Sequence, residues 1–290
     1  MYSPAFDYHR ASSLADAHRL LAAHPGAKLL AGGHSLIPLL KLRLATPANV
    51  IDIGRVDELR GITDSGNHIR IGALTTHAEI ASSSRLRSIA PALTDAAGLV
   101  GDPAVRNRGT VGGNIAHADP ASDLPTALVA LGAEIVAARD GGTRTIAAET
   151  FFTGVMTTTL EEHEIISAIL VPADAAGRGS AYVKFHHPAS RYAVVGAAAV
   201  ITRSAGRCTA ARVAVGGLVS HARRCATVEH ALIRTAADDA ALTTAAATVS
   251  ADLGDDVTGD IYASAEYRRA MAPIFVKHAI AAALARTGTD

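Results

Sequence analysis

Residues 28–53 read KLLAGGHSLIPLLKLRLATPANVIDI, and this stretch decides the expected fold of the N-terminal part of the chain. Its first residues, 28–31, form a short apolar run that predicts a strand, and residues 32–35 follow as a turn. A helix is expected to begin near Leu36 and to extend through Leu44. Residues 49–53 alternate as a strand does. The stretch therefore predicts a βα unit with a glycine pair at its turn.

Further helices and strands are expected before and after this unit. The patterns predict a capping box from Thr76 to Glu79, helices over residues 13–24, 86–99 and 124–131, and strands over residues 68–71, 133–138 and 165–171. Residues 101–123 form a polar, glycine-rich connection whose apolar positions indicate an ordered path. Because a long connection of this kind is usually functional, it is a candidate site.

The last third of the chain is expected to form a second domain. Residues 173–180 are small and polar, which is typical of a domain boundary. Beyond them, the patterns predict a three-stranded antiparallel sheet over residues 181–186, 192–202 and 208–215, and helices near residues 224–234, 237–252 and 264–286. On the last helix, a stripe at helical spacing is interpreted as the side that packs in the core: Tyr267, Met271, Ile274, Phe275, His278 and Ala282.

The composition excludes several classes of protein. Of the 290 residues, 49% are hydrophobic and 19% are charged, which argues against a disordered chain. Lys and Arg number 27, and Asp and Glu also number 27, so no net charge attracts a nucleic acid. The two cysteines cannot form a four-thiolate zinc or iron–sulfur site. No apolar run is long enough to cross a membrane and no secretory signal is visible, so a cytoplasmic protein is expected.

Two glycine pairs are the first candidates for a binding site. Residues 31–35 read AGGHS and residues 110–114 read TVGGN. Adjacent glycines permit positive φ and leave main-chain N–H groups uncovered, which suits a phosphate, although most glycine pairs are only tight turns. Two such pairs in one chain would suit the two phosphates of a nucleotide cofactor. Neither a G-x-G-x-x-G motif nor a P-loop is present, and Ser35 lacks the second glycine of a nucleophile elbow.

Several polar residues near these pairs are open to two interpretations. The histidine and the two aspartates of residues 117–123 are either a metal or acid–base cluster, or turn-forming residues and a helix cap. Arg106 and Arg108 are either phosphate clamps or solvated charges. The two histidines of residues 186–188 have no third ligand at a convincing interval, which favours a role other than metal binding.

Three segments together resemble a known family. They are residues 31–53, residues 69–80 (IRIGALTTHAEI) and residues 102–125 (DPAVRNRGTVGGNIAHADPASDLP). In sequence and order they are similar to the FAD-binding medium subunits of molybdenum hydroxylases, the group of carbon-monoxide dehydrogenase, xanthine dehydrogenase and aldehyde oxidase. The resemblance covers nearly the whole chain.

The resemblance implies an α+β fold with two domains. The first is a two-subdomain FAD-binding domain of the vanillyl-alcohol-oxidase-like (PCMH) type over residues 1–175, with subdomains at about 1–55 and 56–175. The second is a smaller α+β C-terminal flavoprotein domain over residues 176–290, with the three-stranded antiparallel sheet and helices.

The resemblance also implies a set of FAD-binding residues. In the family, the two glycine segments hold the FAD pyrophosphate through main-chain amides. The aspartate that matches Asp123 binds toward the adenosine end, and the positions that match Val100, Ile165 or Ile166, and Lys184 line the flavin. The implied set is Leu30, Ala31, Gly32, Gly33, His34, Ser35, Leu36, Val100, Thr110, Val111, Gly112, Gly113, Asn114, Asp123, Ile165, Ile166, Lys184 and Tyr192. The family scheme requires neither a catalytic acid or base nor a metal ligand in this chain.

Tyr192 falls where carbon-monoxide dehydrogenases place a tyrosine near the isoalloxazine ring. The surrounding residues 186–196, HHPASRYAVVG, differ from the sequence of those enzymes. This departure leaves the substrate of the complex open, and the sequence names neither the terminal electron acceptor nor the redox potential.

The implied function is electron relay. In the family, a molybdenum–pterin centre on a large subunit hydroxylates the substrate, and two [2Fe–2S] clusters on a small subunit pass the electrons to FAD on the medium subunit, which delivers them to an external acceptor. The lack of a cysteine ligand set agrees with clusters on a partner subunit. The expected assembly is a dimer of heterotrimers. The alternatives are a free-standing FAD-dependent oxidoreductase of the same fold and a nucleotide-binding or assembly module without enzymatic activity.

Overall fold

The computed structural model describes residues 2–173 and 177–288. Within them the strands are β1 (Asp7–Arg10), β2 (Lys28–Leu30), β3 (Asn49–Asp52), β4 (Ile62–Ser65), β5 (His68–Gly72), β6 (Glu134–Arg139), β7 (Gly142–Ala147), β8 (Phe152–Gly154), β9 (Thr157–Thr158), β10 (Ile165–Pro172), β11 (Arg178–His186), β12 (Ala193–Ser204), β13 (Arg207–Gly216) and β14 (Arg223–Arg224). The helices are α1 (Leu14–Ala23), α2 (Leu36–Lys41), α3 (His77–Ser82), α4 (Ser84–Ile89), α5 (Pro91–Leu99), α6 (Pro103–Arg108), α7 (Val111–His117), α8 (Asp123–Leu131), α9 (Ala148–Phe151), α10 (Ala226–Leu232), α11 (Asp239–Ala247), α12 (Val249–Leu253) and α13 (Ala265–Leu284). A 3₁₀ turn covers Asp57–Leu59.

The N-terminal part is a three-stranded parallel sheet with α1 packed beside it. The strand order is β1-β3-β2, and both outer strands pair in parallel with β3. The predicted βα unit is therefore confirmed, although α2 ends at Lys41 rather than Leu44. Strand β1 was not predicted, because its sequence DYHR contains no apolar run and its side chains are largely exposed.

The next part is built on a five-stranded antiparallel sheet of order β4-β5-β10-β6-β7. Helices α5, α7 and α8 pack with this sheet in the largest apolar core, which includes Leu93, Ile115 and Leu128. The predicted helix over residues 86–99 is two helices, because Pro91 cannot donate a helical hydrogen bond and begins α5 instead. The predicted connection over residues 101–123 is ordered, as expected, and contains α6 and α7.

An arginine–glutamate ion pair joins β7 to the residue that precedes β10. The Arg144 guanidinium donates two hydrogen bonds to the Glu164 carboxylate, at 2.6 and 2.8 Å, and the Glu161 main-chain N–H donates a third at 2.7 Å. The Glu164 side chain is buried, and the hydrogen bond from Arg144 is the main reason that the pKa of Glu164 lies below its ordinary value.

We expect Glu164→Gln to destabilise the apoprotein by about 2 kcal/mol at pH 7, because a charged hydrogen bond contributes roughly 1.5–3 kcal/mol. The folded-state pKa is depressed, so this stabilisation is present above the unfolded-state pKa and is lost as pH falls through the folded-state pKa. Urea unfolding of wild type and Glu164→Gln at a series of pH values from 7 downward measures the difference in their free energies of unfolding. A difference that stays constant below the ordinary glutamate pKa would contradict the linkage.

The C-terminal part is an antiparallel sheet of order β11-β12-β13-β14 between helices on both sides. The three predicted strands are confirmed, and the short β14 adds a fourth that the sequence did not predict. Along β12, Ala198 and Val200 pack toward α5 and α8, whereas Ala197 and Ala199 pack toward α13. Because both faces are covered, β12 is a nearly continuous apolar run.

The prediction for the packing side of the last helix is confirmed only in part. Met271, Phe275 and Ala282 pack partly buried against the core, whereas Tyr267, Ile274 and His278 are exposed. The fully buried positions of α13 are Arg268, Ala272, Val276, Ala279, Ile280 and Ala283. The three alanines among them let the helix lie close to the alanines of β12. The predicted stripe, which rested on helical spacing, therefore lies at one edge of the packing side.

The two parts of the chain are joined by polar contacts as well as by packing. Arg212 donates to the carbonyls of Val129 and Ala130 at the end of α8, each at 3.0 Å, and the Ala92 N–H donates to the Ser180 hydroxyl at 3.2 Å. Part of the predicted boundary over residues 173–180, namely residues 174–176, lies outside the described residues. Among the helices described, none combines the length and the hydropathy that a membrane crossing requires.

Candidate cofactor site

A cavity of about 700 Å³ lies between the two sheets of the N-terminal half and extends to the loop before β12. Its volume is in the range of ligand-binding cavities. The two glycine pairs, far apart in sequence, both line it. A Cβ placed on Gly32 would lie 2.2 Å from the Arg108 carbonyl oxygen, and one on Gly113 would lie 3.8 Å from the Ala31 Cβ. The first glycine turn and the second glycine segment are therefore in van der Waals contact with each other.

The first glycine turn presents a row of free main-chain N–H groups. Gly33 has φ +80°, which an L side chain rarely adopts. No hydrogen bond joins the N–H groups of residues 32–35 to any other residue that the structure describes. Consecutive unpaired N–H groups at a turn form a concave anion site, so this part of the cavity suits a phosphate.

The second glycine segment differs from what the family resemblance implied. The N–H groups of residues 111–114 are already bonded within the protein: among them, Val111 donates to the Thr75 carbonyl at 3.0 Å and Gly112 to the Ala73 carbonyl at 2.8 Å. The Gly113 N–H is directed to the Thr110 hydroxyl at 3.3 Å. Gly112 lets α7 approach the end of β5 closely, so the segment shapes the cavity, whereas the free amides belong to the first turn.

Gly112→Val is expected to destabilise the fold rather than only to block a phosphate. Gly112 has no positive φ, but its Cβ would lie 2.5 Å from the Ala73 Cβ and 2.8 Å from the Ala73 carbonyl oxygen. Overpacking of this kind costs about 1–3 kcal/mol or more, so the Tm of the apoprotein should fall along with FAD retention. Gly98→Val on α5 is the matched control, because a Cβ there has only an ordinary contact at 4.0 Å. An unchanged Tm for Gly112→Val would contradict the close packing.

Asp123 lies at the centre of a buried polar network on one side of the cavity. Its carboxylate accepts hydrogen bonds from the Tyr182 hydroxyl at 2.6 Å and from the Lys184 ammonium at 2.9 Å. Lys184 also donates to the carbonyls of Leu99 and Arg191. Asp123 is 4% exposed, and it is the first residue of α8, with Ser122 as the N-cap. The helix cap expected in this segment is therefore confirmed at Ser122, and Asp123 bonds to Tyr182 and Lys184 instead of capping the helix.

In this network, burial and the oppositely charged partner shift the pKa values of Asp123 and Lys184 in opposite directions. Burial raises the pKa of Asp123, and Lys184 and the Tyr182 hydroxyl oppose that shift. Burial lowers the pKa of Lys184, and Asp123 opposes that shift in turn. The pKa of Tyr182 lies well above its ordinary value because of burial and the adjacent carboxylate. Four hydrogen bonds hold the aspartate and the lysine in place as an ion pair.

The cavity has two chemically different sides. Leu21, Leu29 and Ile165 belong to the apolar core around the parallel sheet and form one side. The other side includes Val100, Asp123 and Tyr192. There Lys184 bonds to the Asp123 carboxylate and to the carbonyls of Leu99, which precedes Val100, and Arg191, which precedes Tyr192. The resemblance implied that Asp123 serves the adenosine end while Val100, Ile165 or Ile166, and Lys184 serve the flavin; Ile166 packs in the same core as Val100. In the structure Lys184 bonds to Asp123 and to the Leu99 carbonyl next to Val100, whereas Ile165 packs in the core around the parallel sheet.

Most of the implied FAD-binding residues line the cavity. The lining members are Ala31, Gly32, Gly33, His34, Ser35, Leu36, Val100, Thr110, Gly112, Gly113, Asn114, Asp123, Ile165, Ile166 and Tyr192. Leu30 and Val111 lie behind the glycine segments, and Lys184 lies behind Asp123, with its side chain 2% exposed. The set missed Arg191, His163 and His77, which also line the cavity.

His77 is a cavity residue for which the sequence contains only an indirect signal. The predicted capping box is confirmed, with Thr76 as N-cap and Glu79 bonding back to it, and it places His77 at the start of α3. The imidazole is 3% exposed, and its Nδ1 is buried without a hydrogen-bond partner. Burial, together with the nearby His34 and Arg106, lowers the pKa of His77 to about 4, so the ring is uncharged at neutral pH.

The other polar candidates have structural partners. The Asp119 carboxylate accepts from the Ala121 N–H at 2.9 Å, so this residue forms a turn. Arg106 donates to the carbonyls of Val100 and Gly101, and the His187 Nδ1 accepts from the N–H groups that follow it. Within residues 2–173 and 177–288, no group of three or more His, Cys, Asp or Glu side chains is placed to hold a metal ion.

Comparison with known proteins gives matches along the whole chain. Residues 4–174 match the family model of the FAD binding domain in molybdopterin dehydrogenase, and residues 180–283 match that of the CO dehydrogenase flavoprotein C-terminal domain. The carbon monoxide dehydrogenase medium chain of Hydrogenophaga pseudoflava is 40% identical over 289 residues, 99% of each chain. The 6-hydroxypseudooxynicotine dehydrogenase complex subunit alpha of Paenarthrobacter nicotinovorans is 38% identical over 291 residues, 99% of this chain and 97% of that protein.

A solved structure shows the same fold. The carbon monoxide dehydrogenase of Hydrogenophaga pseudoflava, in a form that lacks the Mo-pyranopterin moiety of its cofactor, contains a chain that superimposes with a TM-score of 0.94 at 42% identity, covering 99% of this chain and 100% of that one. The cavity, with its free amides, apolar side and unpartnered His77, fits FAD. The chain belongs to the FAD-binding family of molybdopterin dehydrogenases and is an FAD-carrying medium subunit of a molybdenum hydroxylase.

Proposed function

We propose that this chain holds FAD with its pyrophosphate against residues 32–35 and relays electrons from a partner subunit to an external acceptor. The observation that carries the proposal is the row of N–H groups at residues 32–35, which no described residue bonds and which lines the cavity. Such N–H groups are donors that a diphosphate can accept from without a change in the fold. When bound, the flavin supplies the redox chemistry, collecting electrons singly and delivering two.

We further propose that the isoalloxazine ring lies on the side of Asp123 and Tyr192, and the adenine on the apolar side with Leu21 and Ile165. Tyr192 is 46% exposed, so that side reaches solvent, where an acceptor can approach. The ion pair of Asp123 and Lys184 supplies fixed charge beside a ring whose charge changes on reduction. The apolar side suits an aromatic base that takes no part in the reaction.

The proposed complex contains a small iron–sulfur subunit and a large molybdopterin subunit, assembled as a dimer of heterotrimers. The names of the relatives, a medium chain and a subunit alpha of a complex, support an assembly of different chains. This chain has two cysteines, too few for one [2Fe–2S] cluster, so the clusters must belong to a partner. Both thiols, Cys208 and Cys225, are free and buried, which fits the proposed cytoplasmic location.

The proposed domains are residues 1–175, with subdomains at about 1–55 and 56–175, and residues 176–290. The ends of the two family matches, at residues 174 and 180, support this division. The substrate of the complex is not determined by this chain, since the two relatives are named for carbon monoxide and for 6-hydroxypseudooxynicotine at nearly equal identity. We propose that substrate choice belongs to the large subunit and that this chain serves electron transfer alone.

Purification of the native complex tests the proposal. We expect a yellow protein with a flavin absorption spectrum, with molybdenum and iron in the same fractions as this chain. Purified alone, the chain should retain FAD but no iron or molybdenum. A colourless chain that does not take up added FAD would contradict the cofactor assignment. Activity of the isolated chain with its own organic substrate would contradict the relay and favour a free-standing oxidoreductase.

A further inference from the structure

The His77 imidazole is buried in the cavity wall without a hydrogen bond. The residue is 3% exposed, and its Nδ1 has no partner. Among residues 2–173 and 177–288, none makes a hydrogen bond to either ring nitrogen. Folded proteins pair the large majority of their buried polar side-chain atoms, because an unpaired one costs free energy. Because Nδ1 is enclosed by protein, a ligand in the cavity can reach only Nε2, which is not among the enclosed atoms and which no described residue bonds.

The ring lies where the two glycine segments meet. The His77 main-chain N–H donates to the Gly109 carbonyl at 3.0 Å. A Cβ on Gly109 would lie 2.8 Å from Cδ2 and 2.9 Å from Nε2 of the ring, so the imidazole occupies the side-chain space of that glycine. Gly109 also contacts Gly32 of the first turn, and both glycines line the cavity with His77. The imidazole is thus next to the free amides proposed to bind the pyrophosphate.

The uncharged ring has one N–H donor to offer. A neutral imidazole carries its proton on one nitrogen and leaves the other as an acceptor. Burial is the main reason that the pKa of His77 is low, and the nearby His34 and Arg106 act in the same direction. Because Arg106 is a cation, an anion is a favourable partner at this place. Nδ1 is enclosed by protein, so the edge that carries Nε2 is the one available to a ligand.

We propose that His77 is a cofactor-binding residue whose Nε2–H donates a hydrogen bond to the FAD pyrophosphate. The inference rests on the proposed position of the pyrophosphate at residues 32–35. It assigns to the TTHAEI segment a role in binding the cofactor as well as in capping α3. It also accounts for Gly109, since any side chain at that position would displace the imidazole.

Replacement of His77 in the full chain separates binding from structure, with apoprotein prepared by removal of FAD. For His77→Leu we expect FAD to bind about ten- to a hundredfold more weakly, because a hydrogen bond to a charged group is lost. The Tm of the same apoprotein should stay unchanged or rise by a few degrees, because an unpaired buried polar group is removed. Affinity and stability should therefore change in opposite directions, which a residue that only packs would not show.

Two amide variants identify the nitrogen. The amide of His77→Gln reaches the position of Nε2, whereas that of His77→Asn reaches only the position of Nδ1. We expect His77→Gln to restore FAD affinity to within a few fold of wild type, and His77→Asn to bind as weakly as His77→Leu. These two variants decide the question even if His77→Leu folds poorly.

Three results would overturn the inference. One is wild-type FAD affinity in His77→Leu, and another is a lower apoprotein Tm in all three variants with no rescue by His77→Gln. The third is rescue by His77→Asn alone, which would assign the bond to Nδ1. If wild-type apoprotein itself fails to bind FAD, the proposed function fails as well, so the two failures are distinguishable.

Discussion

Gly32→Ala is expected to give a protein that no longer retains FAD. The added Cβ would lie 2.2 Å from the Arg108 carbonyl oxygen and 2.9 Å from the Gly109 Cα. Both neighbours are backbone atoms, so the clash is relieved only if the first turn moves away from the second glycine segment. That movement separates the free amides from the rest of the cavity. We expect FAD affinity to fall at least about a hundredfold, equivalent to roughly 2.8 kcal/mol.

Gly26→Ala is the control for this substitution. Gly26 precedes the same strand β2 and has φ +79°, yet a Cβ there meets no atom within 4 Å. This variant carries backbone strain of about 1 kcal/mol and no steric clash, so it should lower the Tm slightly and bind FAD as wild type does. FAD titration of the two apoproteins by flavin fluorescence measures the difference. Equal FAD affinity in Gly32→Ala and wild type would remove the first turn from the pyrophosphate site.

Local sequence signals predicted the parts of the fold that depend on neighbouring residues. The capping box at Thr76 and the glycine turn at residues 32–35 are both formed by residues within a few positions of one another. Such signals specify a helix start or a turn without knowledge of the tertiary structure. For the same reason they predicted the order of elements better than their ends, as the early end of α2 shows.

Features that depend on distant residues were missed or misassigned. The sequence could not show that Asp123 lies in a buried polar network, because its partners Tyr182 and Lys184 lie 59 and 61 positions away. Sequence alone does not distinguish the free amides of the first turn from the occupied amides of the other segment, since both belong to glycine pairs. The two sets of amides differ because Ala73, which follows β5, accepts a hydrogen bond from the Gly112 N–H, a contact that depends on the tertiary structure. The centre of the packing side of α13 was missed because it is set by contact with the alanine-rich β12, which is distant in sequence.

Asp123→Ala is expected to be the most destabilising change at the site. The role that the family resemblance implies for Asp123, at the adenosine end of FAD, would by itself predict weaker FAD binding with an unchanged fold. In the structure, removal of the carboxylate leaves the Lys184 ammonium, 2% exposed, with only carbonyl partners, and leaves the Tyr182 hydroxyl without its acceptor. Breaking one member of a buried ion pair costs about 3–5 kcal/mol. We therefore expect a marked fall in the Tm of the apoprotein together with loss of FAD.

Asp119→Ala is the matched control, because this aspartate lies in the turn just before α8 and its carboxylate accepts one hydrogen bond, from the Ala121 N–H. Its loss should cost about 1 kcal/mol. Lys184→Met in the Asp123→Ala background tests the cause directly. Since the second change removes the uncompensated charge, the double variant should be more stable than Asp123→Ala alone, a coupling that a double-mutant cycle measures. Additive losses would mean that Asp123 acts independently of Lys184. Recovered stability without recovered FAD binding would show that the charge pair itself, and not only the fold it supports, is needed to hold the cofactor.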